Sequence, residues 1–88
     1  MIRGVTKTGF EFAVEKEALD NMELLELLAE GGEDNLMIYP KLTEMIFGKE
    51  QKKALYDYLR DSYGRVAISA VVNAVQSVFE AYGEAGKN

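Results

Sequence analysis

The stretch from Ile68 to Tyr82 constrains the fold more than any other part of the chain. Its apolar residues recur at intervals of three and four, and they are Ile68, Val71, Val72, Val75, Val78, Phe79 and Tyr82. This spacing predicts an amphipathic helix, because a strand would send Val71 and Val72 to opposite faces. The other face carries small or polar residues. The helix must therefore lie on a core that the rest of the chain, or a partner, supplies.

Composition limits both the core and the chemistry. A domain of 88 residues buries only roughly 60–65% of the surface of its unfolded chain. Without Cys or His, the chain lacks disulfides and the usual residues of nucleophilic and zinc catalysis. The net charge of -5 disfavours nucleic acid as a partner. Because no apolar run reaches the roughly 20 residues that cross a bilayer, we expect a soluble intracellular protein without cofactor or membrane contact.

The first residues predict a β-hairpin over about 2–14. Ile2 to Val5 and Phe10 to Val14 are short runs with β-branched or aromatic residues, and a polar link ending in Gly9 joins them. Phe10 and Phe12 share one face and can cover the end of a helical core. The outer edge of the hairpin is either solvated or open for pairing with another subunit.

Capping and breaking residues divide the middle of the chain into three helices. Asp20 or Asn21 caps the first, which covers about 21–30 and ends at Gly31-Gly32. Glu33-Asp34-Asn35 caps the second, which covers about 36–47 and tolerates Pro40 in its first turn. Gly48 then breaks the chain.

The third helix covers about 49–62, directs Leu55, Tyr58 and Leu59 inward, and closes at Tyr63-Gly64. The long helix follows at about 68–82, and a polar tail covers 83–88. The sequence thus predicts one mainly α (α+β) domain over residues 1–88. In it, an N-terminal β-hairpin packs on a small bundle of about four helices.

Charge is segregated along the chain. Residues 11–34 hold nine acidic side chains and one basic, whereas residues 35–65 hold four acidic and six basic ones. Within the acidic part, Glu23, Glu26 and Glu30 form a stripe on one helix face. The ordinary interpretation of such a stripe is a solvated face, and the functional one is a surface that steers a basic partner segment.

Motifs for specific chemistry do not fit the residues. A calcium loop within residues 30–44 would need oxygen ligands where Leu36, Met37 and Ile38 stand. Ser62 resembles the modified serine of carrier proteins only in being preceded by Asp61, since it falls at the end of a helix. Gly31-Gly32 lacks the Lys-Ser/Thr of a phosphate loop. We therefore expect no enzyme activity.

Three segments, in this order and spacing, resemble the small tail assembly chaperones of long-tailed (siphovirus-type) bacteriophages and prophages. They are Leu19-Asp20-Asn21-Met22-Glu23-Leu24-Leu25-Glu26-Leu27-Leu28-Ala29-Glu30, Phe47-Gly48-Lys49-Glu50-Gln51-Lys52-Lys53-Ala54-Leu55, and Leu59-Arg60-Asp61 through Gly64-Arg65-Val66. The closing Gly86-Lys87-Asn88 also fits that family.

The resemblance implies a protein that coats the tape measure protein and delivers tail tube subunits for polymerisation. It also implies a location in the cytoplasm of the bacterial host and absence from the mature virion. Members of the family commonly come in two lengths through a ribosomal frameshift, and 88 residues suits the shorter form. The family has no catalytic residues to place here.

Candidate partner-binding residues come from physical reasoning instead. A core of this size can leave some flexible Met and amphipathic aromatic side chains on the surface. The alternative is that these residues complete the core. The candidates are Met22, Met37, Tyr39, Met45, Phe47, Tyr56 and Tyr63, with Glu23, Glu26 and Glu30 as the acidic face.

Two further expectations follow from the charge pattern. A different class of function is a small acidic regulatory or inhibitor protein, such as a nucleic-acid mimic or an anti-repressor, although segregated charge disfavours mimicry. Contact between the acidic and the mildly basic surfaces of different copies predicts self-association into a ring or filament.

Overall fold

The computed structural model describes residues 1–31 and 35–85, in which a β-hairpin precedes all the helices. The hairpin is followed by a short helix, a longer one, a 3-10 turn, a broken helix and the long helix predicted first. The elements are β1 (Ile2–Val5), β2 (Glu11–Val14), α1 (Lys16–Leu19), α2 (Met22–Gly31), the 3-10 turn (Leu36–Ile38), α3 (Tyr39–Leu59) and α4 (Ile68–Ala85). This confirms the predicted mainly α (α+β) fold with its N-terminal hairpin.

The hairpin is antiparallel and docks on the helices. Ile2 pairs with Val14 and Val5 with Glu11. Phe12 is buried, and its ring meets that of Phe47 edge to face at 6.4 Å. The predicted contribution of the hairpin to the core is therefore confirmed.

One edge of the hairpin is covered at Ala13, whereas the sequence left open whether that edge is solvated or pairs with another subunit. The Gln51 side-chain amide accepts a hydrogen bond from the Ala13 N–H at 2.9 Å and donates one to the Ala13 carbonyl at 2.8 Å. It thus takes both outward-facing backbone groups of Ala13, as a neighbouring strand would. The same amide nitrogen donates to the Phe47 carbonyl at 3.2 Å, which joins the strand edge to α3.

The predicted break at Gly48 is confirmed and is a sharp turn. Gly48 has φ 78° and ψ 166°, a backbone conformation that essentially only glycine adopts. Beyond it, Lys52 Nζ donates to the Pro40 carbonyl at 2.9 Å. Twelve residues of a straight helix would span roughly 18 Å, which is longer than a lysine side chain can reach. Segments 39–47 and 49–59 therefore fold back toward each other.

Several predicted boundaries are wrong by a few residues. α3 ends at Leu59 and not near Ser62, because the Asp61 carboxylate accepts from the Tyr63 N–H at 2.8 Å and the Arg65 N–H at 3.0 Å. These bonds form a turn that competes with the helix. α4 continues to Ala85 instead of ending at Tyr82, and helix α1 was not predicted.

Caps explain where two elements begin. The Asn21 side chain accepts from the Glu23 N–H at 3.0 Å, and the Asn35 side chain accepts from the Met37 N–H at 3.1 Å. Both roles are as predicted. The expected roles of residues 32–34, and the polar residues 86–88, lie outside the described residues.

The core lies between the hairpin, α3 and α4. Along α4, Val71, Val75 and Val78 are buried as predicted, and Ala74 joins them. Two inward predictions are wrong. Ile68 is exposed in the first turn of α4. Tyr58 is also exposed, and it contacts the hairpin at the surface, where its ring packs beside Phe10 and its hydroxyl donates to the Thr8 carbonyl at 2.8 Å.

Candidate partner-binding groove

An apolar groove opens where the 3-10 turn, both segments of α3 and the start of α4 meet. Its volume is about 250 Å³, larger than the roughly 150 Å³ cavity that admits a benzene ring. None of the described residues that line it is acidic. We define the apolar groove by its lining residues, Leu36, Met37, Tyr39, Pro40, Tyr56, Val66, Ile68 and Val71.

Local structure explains why these side chains converge. The turn at Gly48 brings Tyr56 of the second α3 segment beside Pro40 of the first. The 3-10 turn capped by Asn35 holds Met37 outward, with 85% of its surface exposed. Ile68 begins α4, where it remains 61% exposed. The groove is therefore formed by element ends that cover each other only in part.

One cation, Lys52, lies beside the groove. Lys52 Nζ lies 5.6 Å from the centre of the Tyr56 ring while it donates to the Pro40 carbonyl. The Arg65 guanidinium lies 5.4 Å from the centre of the Tyr63 ring, next in sequence to the lining residue Val66. Lys52 therefore places a positive charge beside two lining residues, whereas the ring contacted by Arg65 is not part of the lining.

The predicted partner-binding residues are spread over several places. Met37, Tyr39 and Tyr56 line the groove. Tyr63 is exposed in the loop after α3, Met22 is exposed on α2, and the partly buried Met45 lies away from the groove. The expectation that Phe47 stays on the surface is wrong, since it is only 6% exposed and packs against Phe12.

Sequence reasoning missed five of the groove residues, namely Leu36, Pro40, Val66, Ile68 and Val71. Ile68 was assigned to the core because it continues the apolar spacing of α4, and spacing alone does not show where the covering elements end. Leu36 directly follows the Asn35 cap, so its place at the first position of the 3-10 turn could be read from the sequence, but its exposure could not.

The acidic face is on α2 and has its own hollow. Glu23, Glu26 and Glu30 are all exposed. They line a space of about 140 Å³ together with Leu27, Met45 and Lys41. Because Lys41 faces the same hollow, the carboxylates do not stand alone there.

Other kinds of site are not seen in the described part of the chain. Among residues 1–31 and 35–85, no group of three or more acidic side chains is placed to hold a metal ion. None of the helices described combines the length and apolarity needed to cross a membrane. Comparisons with protein-family models, curated proteins and solved structures found no match. The resemblance to tail assembly chaperones stays a prediction from the sequence.

Proposed function

We propose that this protein is a non-enzymatic tail assembly chaperone of a long-tailed phage or prophage. In this role it binds the tape measure protein in the cytoplasm of the bacterial host, helps to recruit tail tube subunits, and leaves before the virion is complete. The resemblance of the three sequence segments suggests the function. The observation that supports it in the structure is the apolar groove.

The groove suits a helical ligand. Its exposed side chains come from two separate elements, with Leu36 and Met37 on one side and Ile68 on the other. An amphipathic helix placed between them would bury apolar residues at spacings of three and four. Met37 is unbranched and flexible, so it can adapt to different side chains along a long ligand. A chaperone that coats many segments of one protein needs such tolerance.

The alternative of an acidic nucleic-acid mimic has less support. A mimic presents carboxylates at phosphate-like intervals over a surface. Here the carboxylates of Glu23, Glu26 and Glu30 share their hollow with Lys41. The apolar groove also has the Lys52 ammonium group beside Tyr56 and Pro40, which is the opposite of a phosphate-like surface.

Co-expression tests the proposal. The tape measure protein encoded beside this chain in its own genome should be soluble and co-purify when both are produced together, and insoluble when it is produced alone. The double variant Met37→Gln, Ile68→Gln should lose most of this effect, because both side chains are exposed and line the groove.

Val5→Gln is the control, since Val5 is similarly exposed but lies on the hairpin away from the groove. Failure of the parent protein to solubilise the tape measure protein would contradict the chaperone function. Equal loss in the control and in the double variant would contradict the groove as its site.

A further inference from the structure

A side chain takes the place of a third strand at the outer edge of β2. The Gln51 amide bonds both the N–H and the carbonyl of Ala13, and outward-facing backbone groups recur at every second residue of an antiparallel strand. The N–H and carbonyl of Glu11 therefore face the same edge. No other group in the described part of the chain bonds them. Gln51 thus fills one position of a strand-binding edge and leaves the next one open.

Two hollows lie along this edge, and Gln51 separates them. The first has a volume of about 370 Å³ and extends toward Glu15. The second has a volume of about 450 Å³ and extends toward Glu11. Ala13 and Gln51 are the residues that line both hollows. If the Gln51 side chain turned away, the two hollows would join into one channel along β2.

The side chains along the edge specify the kind of strand that fits. Glu15 continues the extended backbone of β2, so Glu11 and Glu15 lie on one exposed face with the smaller Ala13 between them. Neither carboxylate forms an ion pair with another described residue. Because opposite charges on opposed strands stabilise pairing, a fitting strand carries Lys or Arg at two positions four residues apart. Arg3 pairs with Ala13 across the hairpin, which favours a small neutral residue midway.

The other face of such a strand meets the core. Its two intervening residues would lie beside Phe12 and Val14, which are both buried. The adjoining hollow is lined by Met45, Ile46 and Phe47, so these two positions favour apolar, β-branched side chains. The complete pattern is basic, apolar, small, apolar, basic.

We propose that the outer edge of β2 binds an extended segment of a partner protein with this alternating pattern, by addition of a third strand. The segment displaces the Gln51 amide from Ala13 and also bonds the unused backbone groups of Glu11. A strand without the two basic residues gains less and leaves Gln51 in place. The residues that line the two hollows do not line the apolar groove. The inference is therefore independent of the proposed function, and both ligands can bind at once.

NMR titration with a synthetic peptide tests the inference. The probe is Thr-Lys-Val-Ala-Val-Lys-Thr with blocked ends. The control peptide, Thr-Lys-Lys-Ala-Val-Val-Thr, has the same composition but breaks the alternation. The probe should shift the backbone amide signals of residues 11–15 and the side-chain amide signals of Gln51, and the control should shift neither. Binding should weaken at high ionic strength because the charges are screened.

Variants separate displacement of Gln51 from a purely structural role. Gln51→Ala should bind the probe about fivefold or more tightly than the parent, the equivalent of one ordinary hydrogen bond, because the probe no longer competes with the amide. Ala13→Pro should weaken binding about tenfold or more, since it removes the outward N–H but no bond to β1. The double variant Glu11→Gln, Glu15→Gln should also bind more weakly. Glu17→Gln is its control, since Glu17 is exposed but does not line either hollow.

Several results would overturn the proposal. They are equal binding of probe and control peptide, binding to Gln51→Ala no tighter than to the parent, and no binding to either protein at millimolar peptide. Shifts of residues 11–15 that appear when the protein alone is concentrated would assign the edge to a second copy and would overturn it as well. The peptide comparison holds even if Ala13→Pro fails to fold. Because no tape measure protein is present, these results are separate from the test of the chaperone function.

Discussion

Helices α4 and α2 both have an amphipathic sequence, but their apolar faces have different surroundings. In α4, Val71, Val75 and Val78 are buried against the hairpin and α3. In α2, Leu24 is buried, whereas Leu25 remains exposed beside it. The difference teaches that periodicity predicts which side of a helix is apolar, while the placement of the neighbouring elements decides how much of that side is covered.

The largest expected effect tests whether the α4 face is part of the core. Val75→Asp places an unpaired carboxylate at a buried position, which costs several kcal/mol. Because a domain this small has roughly 5 kcal/mol of stability, the variant should be largely unfolded. A urea titration followed by circular dichroism measures this.

Gln76→Asp is the control for Val75→Asp, since Gln76 is exposed one position further along α4. This variant should unfold at a urea concentration close to that of the parent. If Val75→Asp proved as stable as Gln76→Asp, the α4 face would be uncovered like that of α2. The stated difference between the two helices would then be wrong.

A smaller effect sharpens the comparison within α2. Leu24→Ala should lower the free energy of unfolding by about 2–5 kcal/mol, because it removes buried methyl groups and leaves a cavity. Leu25→Ala makes the same chemical change at the exposed neighbour and should alter stability by about 0.5 kcal/mol or less. Equal losses in urea titrations of the two variants would mean that α2 is covered on both sides.

The smallest expected effect concerns the turn at Gly48, which brings the side chains of the two α3 segments together at the groove. Gly48→Ala should cost about 1–3 kcal/mol, because Gly48 has φ 78° although no atom crowds an added methyl group. Gly83→Ala, at an exposed helical position that is also free of contacts, should instead stabilise by up to about 1 kcal/mol. Thermal unfolding of both variants gives the comparison. A neutral Gly48→Ala would show that the sharp turn is not required.

Local chemistry made much of the fold predictable. The hairpin, the Asn21 cap, the tolerated Pro40 and the break at Gly48 each depend on a few neighbouring residues, and the structure confirms them. The early end of α3 could also have been read from Asp61, since an aspartate that precedes glycine within a few residues favours a turn.

The groove could be predicted only in part. Its Met and Tyr residues were candidates because of their side-chain chemistry, but their convergence depends on the direction of the chain after Gly48. That direction is set by long-range packing and by the contact of Lys52 with Pro40. For the same reason Ile68, expected in the core, is exposed, and Phe47, expected on the surface, is buried. Apolar spacing does not show which neighbours a residue contacts.

Gln51 has a consequence for how copies of this chain can accumulate safely. An unprotected strand edge is a template for amyloid-like stacking, which is very stable once formed. Here the Ala13 donor and acceptor are already bonded to the Gln51 amide, so a foreign strand must first displace that side chain. At high concentration, copies are therefore hindered from pairing through Ala13 on this edge.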